Sequence, residues 1–215
     1  MRKILGIILA VVLFTACKFI GTGKKALPIY GNREVVKKIA DGKTVTDTIY
    51  QTIPAFKFIN QYGDSITNKN LDGKIYVADF FFTTCPSICP VMHRNMLNVY
   101  NAFKDLSDFR IISYTIDPKH DSVNVLKNYA DKLDIKGNTW WLLQGKKEET
   151  YKLADSYLVT KPTEVANTHI HDGFFILIDK QKRIRGSYDG TDPKQVEQLI
   201  EDIKTLKAEP DQTTT

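Results

Sequence analysis

Cysteine is scarce in this chain, three in 215 residues, which excludes a disulfide-dense scaffold. Glycine and proline are also modest, at 12 and 8, and no repeat is visible, so collagen-like and low-complexity classes fall away. No apolar run reaches the roughly 20 residues that a membrane-spanning helix requires. The longest, Ile4 to Ala16, therefore excludes a polytopic membrane protein. Nor does the charge gather into a dense basic run: the net charge is +5, which gives nucleic-acid binding little support. What remains is an ordinary globular composition, 42% hydrophobic and 26% charged, long enough for one compact domain with a real core.

The short apolar run carries its own message. Arg2 and Lys3 precede it and small residues end it, the charged, apolar, small order of an export signal. Leu13-Phe14-Thr15-Ala16-Cys17 resembles a bacterial lipobox, with Phe14 in place of the usual aliphatic residue. Residues 1–16 are thus expected to be a cleaved lipoprotein signal peptide and Cys17 the lipidated residue. The expected location is the bacterial cell envelope, with the chain membrane-anchored and facing the periplasm or extracytoplasmic side. Cys85 and Cys89 would then be the remaining thiols, in an oxidising compartment.

Residues 17–51 are Gly- and Lys-rich without a strong period, which suits a lipid-anchored tether and an extended lead-in; the folded unit is expected over 52–207, with 208–215 a flexible tail. Ile53 to Ile59 and the Gly63 turn suggest an opening hairpin. Lys74 to Phe82 is a near-continuous apolar run, as in a strand covered on both faces. Met92, Met96, Val99, Tyr100 and Phe103 follow at helical spacing, and Arg110 to Ile116 returns as a strand. Further helices are expected over Val123–Leu133 and Lys147–Ser156, with a short strand at Trp140–Leu143 between them. Phe174–Asp179 and Ile184–Tyr188 form a late hairpin, and Asp192-Pro193 caps a closing helix. The class is α/β: a mostly parallel sheet, made mixed by its hairpins, with helices on both faces.

Cys85 and Cys89 stand at the carboxyl end of the buried strand, in Thr83-Thr84-Cys85-Pro86-Ser87-Ile88-Cys89-Pro90, where open α/β sheets bind ligands. Proline is tolerated in a first helical turn, so Pro90 is expected to start the helix and Cys89 to cap it. Unpaired N–H groups and the helix dipole there favour thiolate, the form that attacks disulfides and binds metal. The three-residue spacing fits a reversible disulfide, a metal pair or an inert bridge, and does not choose among them. A third ligand would. His171, in the loop before the late strand, is the candidate, and two thiolates with one imidazole suit Cu(I), with zinc the competitor.

These motifs resemble those of the SCO/SenC family of copper-binding, thioredoxin-like proteins. The resemblance covers roughly Ile53 to Lys207 and rests on Ile53-Pro-Ala-Phe56, Gly73-Lys74, Phe81 through Pro90, Thr115-Ile-Asp-Pro-Lys-His-Asp-Ser122, and His171 ahead of Phe174–Asp179. It implies a thioredoxin fold and a copper site formed by Cys85, Cys89 and His171, with Cys85 and Cys89 also the redox pair. It further implies delivery of copper to, or reduction of the cysteines of, the binuclear copper centre in cytochrome oxidase subunit II, or another copper or thiol protein. Where thioredoxins carry a cis-proline this chain has Gly173, and Thr84 replaces the tryptophan before the motif. A thiol-disulfide reductase is the alternative. A peroxiredoxin-type peroxidase is remote, because Phe82 occupies the position of that family's threonine.

Other candidates have blander readings. Strand alternation points His169 and His171 to opposite faces and cannot choose between them; the resemblance selects His171. His93 is expected on the solvated side of its helix, His120 in a loop, and Met92 and Met96 in the core. Asp117 and Asp121 fit either a turn or a shell around the site. The Lys180 to Arg185 charges are expected to solvate a turn.

Overall fold

The computed structural model describes residues 26–40, 42–159, 163–165, 168–170 and 172–210; the expected signal peptide, Cys17 and His171 lie outside them. The strands are β1 (Arg33–Ala40), β2 (Lys43–Tyr50), β3 (Lys57–Asn60), β4 (Ser65–Thr67), β5 (Ile75–Phe81), β6 (Phe109–Thr115), β7 (Trp140–Gln144), β8 (Thr163–Val165), β9 (Thr168–Ile170), β10 (Phe174–Ile178) and β11 (Ile184–Asp189). The α-helices are α1 (Cys89–Phe103), α2 (Val123–Lys132), α3 (Lys147–Ser156) and α4 (Pro193–Ala208).

Seven strands form the central sheet in the order β11-β10-β5-β6-β7-β3-β4. Only β5, β6 and β7 run parallel, in the strand-helix-strand order read from the sequence. The late hairpin on one side and the opening hairpin on the other pair antiparallel, so the sheet is mixed, with four antiparallel pairings to two parallel, rather than mostly parallel. β1 and β2 pair only with each other, in a stretch that the sequence suggested was an unpatterned lead-in.

All seven residues of β5 are buried because both faces are covered. On one face Phe81 meets His93 of α1 and Tyr129 of α2. On the other, Phe80 meets Tyr114 and Tyr157. The Tyr157 hydroxyl also lies within hydrogen-bonding distance of those of Tyr76 and Tyr114, 3.3 and 3.0 Å away, in a fully buried triad. Met92, Met96 and Val99 are fully buried along α1, and each such side chain contributes about 1.5–3 kcal/mol through burial. α4 begins as its sequence suggests, with the Asp192 carboxylate accepting from the Lys194 N–H and Pro193 in the first turn.

The sheet has two distinct ends. β5 runs toward Cys85, and antiparallel β10 pairs Ile178 with Tyr76, so the β10–β11 turn lies at the opposite end. There Arg185 is buried, contrary to the expectation of a solvated turn. Its guanidinium donates to the carbonyls of Leu27 and Pro28 at 2.7 and 3.0 Å, to Asp179 at 3.2 Å and to Glu209 at 2.7 Å. Arg183 Nε adds a 2.8 Å bond to Asp179. Glu209 in turn accepts from the Leu27 N–H at 2.7 Å, so the clamp fixes the entering chain against the C-terminal end of α4. A buried guanidinium persists only when its donors are matched in this way.

Candidate metal centre

The three phenylalanines ending the buried strand, Phe80 to Phe82, deliver the chain to Thr83 at the sheet's edge. The Cys85 N–H donates to the Phe82 carbonyl at 3.2 Å, turning the chain toward α1. Ile88 caps α1, Cys89 is its first residue and Pro90 its second, so the helix starts one residue earlier than the sequence reading placed it. Pro90 costs nothing in hydrogen bonding there, because first-turn N–H groups lack helical partners.

Neither cysteine is in a disulfide; Cys85 is 8% and Cys89 1% exposed. Their titration is opposed. Burial pushes the Cys85 thiol up, but hydrogen bonds from the backbone and side chains of Cys89 and Ser87 outweigh it and hold the group below the ordinary thiol range. Cys85 Sγ lies 3.8 Å from Ser87 Oγ. Burial drives Cys89 far up; a hydrogen bond with the Phe82 backbone offsets this in part, while the neighbouring Cys85 and Asp79 charges add to the rise. The expectation that the helix terminus makes both sulfurs thiolates therefore holds for Cys85 alone. Desolvation decides Cys89.

The loop rests on residues that the sequence left unresolved. Asp121, fully buried, accepts from the Thr83 N–H at 3.1 Å and from the hydroxyls of Thr83 and Thr115. His120 lies on its other side, Nδ1 at 3.1 Å from the Asp121 carboxylate. Of the two readings offered for Asp121, the shell around the site is the one realised.

His93 reverses its expectation. It is fully buried, Nδ1 2.9 Å from the Tyr129 hydroxyl and Nε2 3.2 Å from Asp79. Asp79 also accepts from the Ser113 hydroxyl, which itself accepts from the Trp140 indole at 2.9 Å. Both His93 nitrogens are thus engaged away from the thiols. The signal was Asp79 itself: an acidic residue in a strand buried on both faces demands partners.

Among the described residues, no group of three His, Cys, Asp and Glu side chains could hold a metal. His169 lies in β9, opposite Glu164 in β8, and His171 follows outside the described residues. The base of its segment is nevertheless placed. A Cβ on Gly173 would lie 3.5 Å from Ile88 Cδ1 and 3.6 Å from Met92 Sδ, at the start of α1. The Gly190 N–H donates to the Gly173 carbonyl at 2.7 Å, and Asn95 Nδ2 of α1 donates to the Gly190 carbonyl at 2.8 Å. A side chain at Gly190 would meet the Phe175 ring at 2.7 Å, so this approach requires glycine.

Comparison with known proteins supplies the lineage of this arrangement. A SCO1/SenC family model matches residues 45–208. A SCO1/SenC family lipoprotein from Bacillus anthracis is 31% identical with a TM-score of 0.68, covering 73% of this chain and 95% of its own. BsSco, a member of the Sco family of cytochrome c oxidase assembly proteins in which a disulfide switch was identified, is 28% identical with a TM-score of 0.65, covering 74% and 95%. Copper-bound ScoI of Bradyrhizobium japonicum is 26% identical with a TM-score of 0.59, covering 70% and 98%. The mixed sheet flanked by helices is the thioredoxin-like architecture of these proteins, and the chain belongs to the SCO1/SenC family.

Proposed function

We propose that this protein binds copper through Cys85, Cys89 and His171 and serves assembly of the binuclear copper centre of a respiratory cytochrome oxidase, with subunit II or another copper or thiol protein as partner. The observation that carries this reading is the closeness of Gly173 to Ile88 and Met92, at the start of the helix whose first residue is Cys89. Gly173 follows His171 by two residues, a reach of at most about 7 Å, which supports a ligand from this segment. Two soft sulfurs and an imidazole suit Cu(I), and the donor chemistry therefore fits the metal bound in the B. japonicum relative. The BsSco comparison supports the oxidase role, and the B. anthracis relative supports a lipid-anchored, extracytoplasmic protein with Cys17 as the modified residue.

A second reading, thiol-disulfide reductase, is favoured by the opposed thiols. Cys85 is the attacking sulfur and buried Cys89 the resolving one. In that reaction the pair forms a disulfide, passing two electrons and two protons to a partner disulfide that becomes two thiols. The two readings share residues, and the disulfide form would release the metal.

The test is an anaerobic Cu(I) titration of the reduced chain beginning after Cys17, which retains every described residue, against a competing chelator. One tight equivalent is expected, lost in Cys85→Ser and Cys89→Ser and weakened at least tenfold in His171→Ala. Copper binding indifferent to His171, with disulfide exchange intact, would reject the three-ligand site and leave the reductase.

A further inference from the structure

The β1–β2 ribbon does nothing for the core. Ile39 is 81% exposed, Val35 63%, Ile49 53% and Val45 41%. The register sets Val35 and Ile39 opposite Thr48 and Thr44 on one face, and Val45 and Ile49 opposite Lys38 and Glu34 on the other. The ribbon therefore carries apolar side chains on both faces, which docking against a single flat protein surface would cover only by half. A two-stranded ribbon is also marginal by itself, so a sequence that keeps one in the open has an unsatisfied apolar surface.

Its position is fixed by the chain on either side. Tyr30 bridges Ile184 in the antiparallel sense, so the entering chain runs against β11 and away from the cysteine end. On return, the Ile53 N–H donates to the Lys182 carbonyl in the β10–β11 turn at 2.8 Å. The ribbon is thus rooted at the end of the sheet that holds the Arg185 clamp, opposite Cys85 and Cys89.

Charge follows the same division. Residues 18–50 carry seven basic side chains against three acidic ones, a net of +4, whereas residues 51–215 carry 21 against 22. With Arg2 and Lys3 adding +2 ahead of them, the basic excess lies before the body: three lysines in residues 18–32 and, in the ribbon over 33–50, four basic side chains against three acidic.

We propose that the β1–β2 ribbon docks on an anionic lipid surface, with Ile39 and Val45 entering the headgroup layer on opposite faces and Lys37 and Lys43 holding lipid phosphates. A lipid layer can surround both faces at once, which a second copy of the chain stacked on one face cannot. Insertion stays shallow, because the outer strand edges carry N–H and C=O groups that need hydration. The consequence is an oriented molecule, its clamp end toward the membrane and its thiols away from it, toward the extramembrane part of a partner. This extends the lipid-anchored reading, but its test requires neither lipid on Cys17 nor copper.

The experiment is flotation of the chain beginning after Cys17 with vesicles of phosphatidylcholine and phosphatidylglycerol, beside vesicles of phosphatidylcholine alone. Binding is expected to the anionic vesicles only and to weaken with salt. Lys37→Glu and Lys43→Glu should each lower it about fivefold, and Ile39→Asp with Val45→Asp about tenfold or more. Circular dichroism and Cu(I) titration should be unchanged in every variant, since these side chains are exposed, so failure here is distinguishable from failure of the copper site. Absent binding, or equal binding by wild type and all variants, overturns the proposal. A concentration-dependent dimer in vesicle-free solution, abolished by the Ile39 and Val45 changes, would overturn it in favour of a second copy.

Discussion

At the clamp end of the sheet Arg185, Asp179 and Glu209 answer one another and the backbone of Leu27 and Pro28. At the thiol end, Asp79, His93, Asp121 and their hydroxyl partners are just as well matched, but the residues beside them, Cys85 and Cys89, are thiols not joined in a disulfide. Both ends bury charge; they differ in what that burial supports. A closed network is a fastening. A closed network beneath a pair of thiols, one of them held below the ordinary thiol range, keeps a site still while leaving its chemistry available.

That contrast can be broken by experiment. Arg185→Ala should produce the largest effect, about 3–5 kcal/mol of stability in urea unfolding, because it leaves Asp179 and Glu209 with a missing partner at a buried site. Copper stoichiometry of the folded fraction should not change; if it falls, the two ends are coupled and the division is false. Asn95→Ala sharpens the other side. Losing its bond to the Gly190 carbonyl should cost about 1–2 kcal/mol. If Asn95 acts by positioning the His171 segment, it should also weaken Cu(I) about fivefold in the wild type and not at all in His171→Ala, a non-additivity that a merely structural role would lack.

The smallest effect is a pH profile. Alkylation of Cys85 should rise below the ordinary thiol pH, since its pKa is lowered, while Cys89 stays unreactive well above it. Stability carries the same opposition. The raised Cys89 contributes below the unfolded thiol pKa and loses that contribution as pH rises through and beyond it, whereas the lowered Cys85 gains over the interval beneath it. Peptide-resolved mass spectrometry of iodoacetamide adducts checks the order; simultaneous labelling would contradict it.

Where the sequence could be read, the reason was local. The apolar run of β5 and the Met92-Met96-Val99 stripe encode burial in a few neighbouring residues, and Pro90 and Pro193 mark helix starts within one position. His93 escaped because α1 is packed against α2 as well as the sheet, so its buried surface is broader than one stripe. Arg185 escaped because its partners lie at Glu209 and at Leu27 and Pro28, far along the chain from a turn that looks merely basic. The β1–β2 ribbon showed no period because neither face is buried, leaving nothing for selection to pattern. Asp121 was legible as one of two possibilities, and only the fold, by bringing Thr83 to it, chose between them.

The tyrosine triad behind Phe80 has a use unrelated to copper. Burial holds the hydroxyls of Tyr76, Tyr114 and Tyr157 far above the ordinary phenol range, and their mutual proximity adds to it. In an alkaline spectrophotometric titration these three rings stay silent through the range in which an ordinary phenol ionises, and they absorb as phenolates only when the core opens. The protein thus contains its own optical gauge of global unfolding, one that needs no added dye and does not touch the thiols.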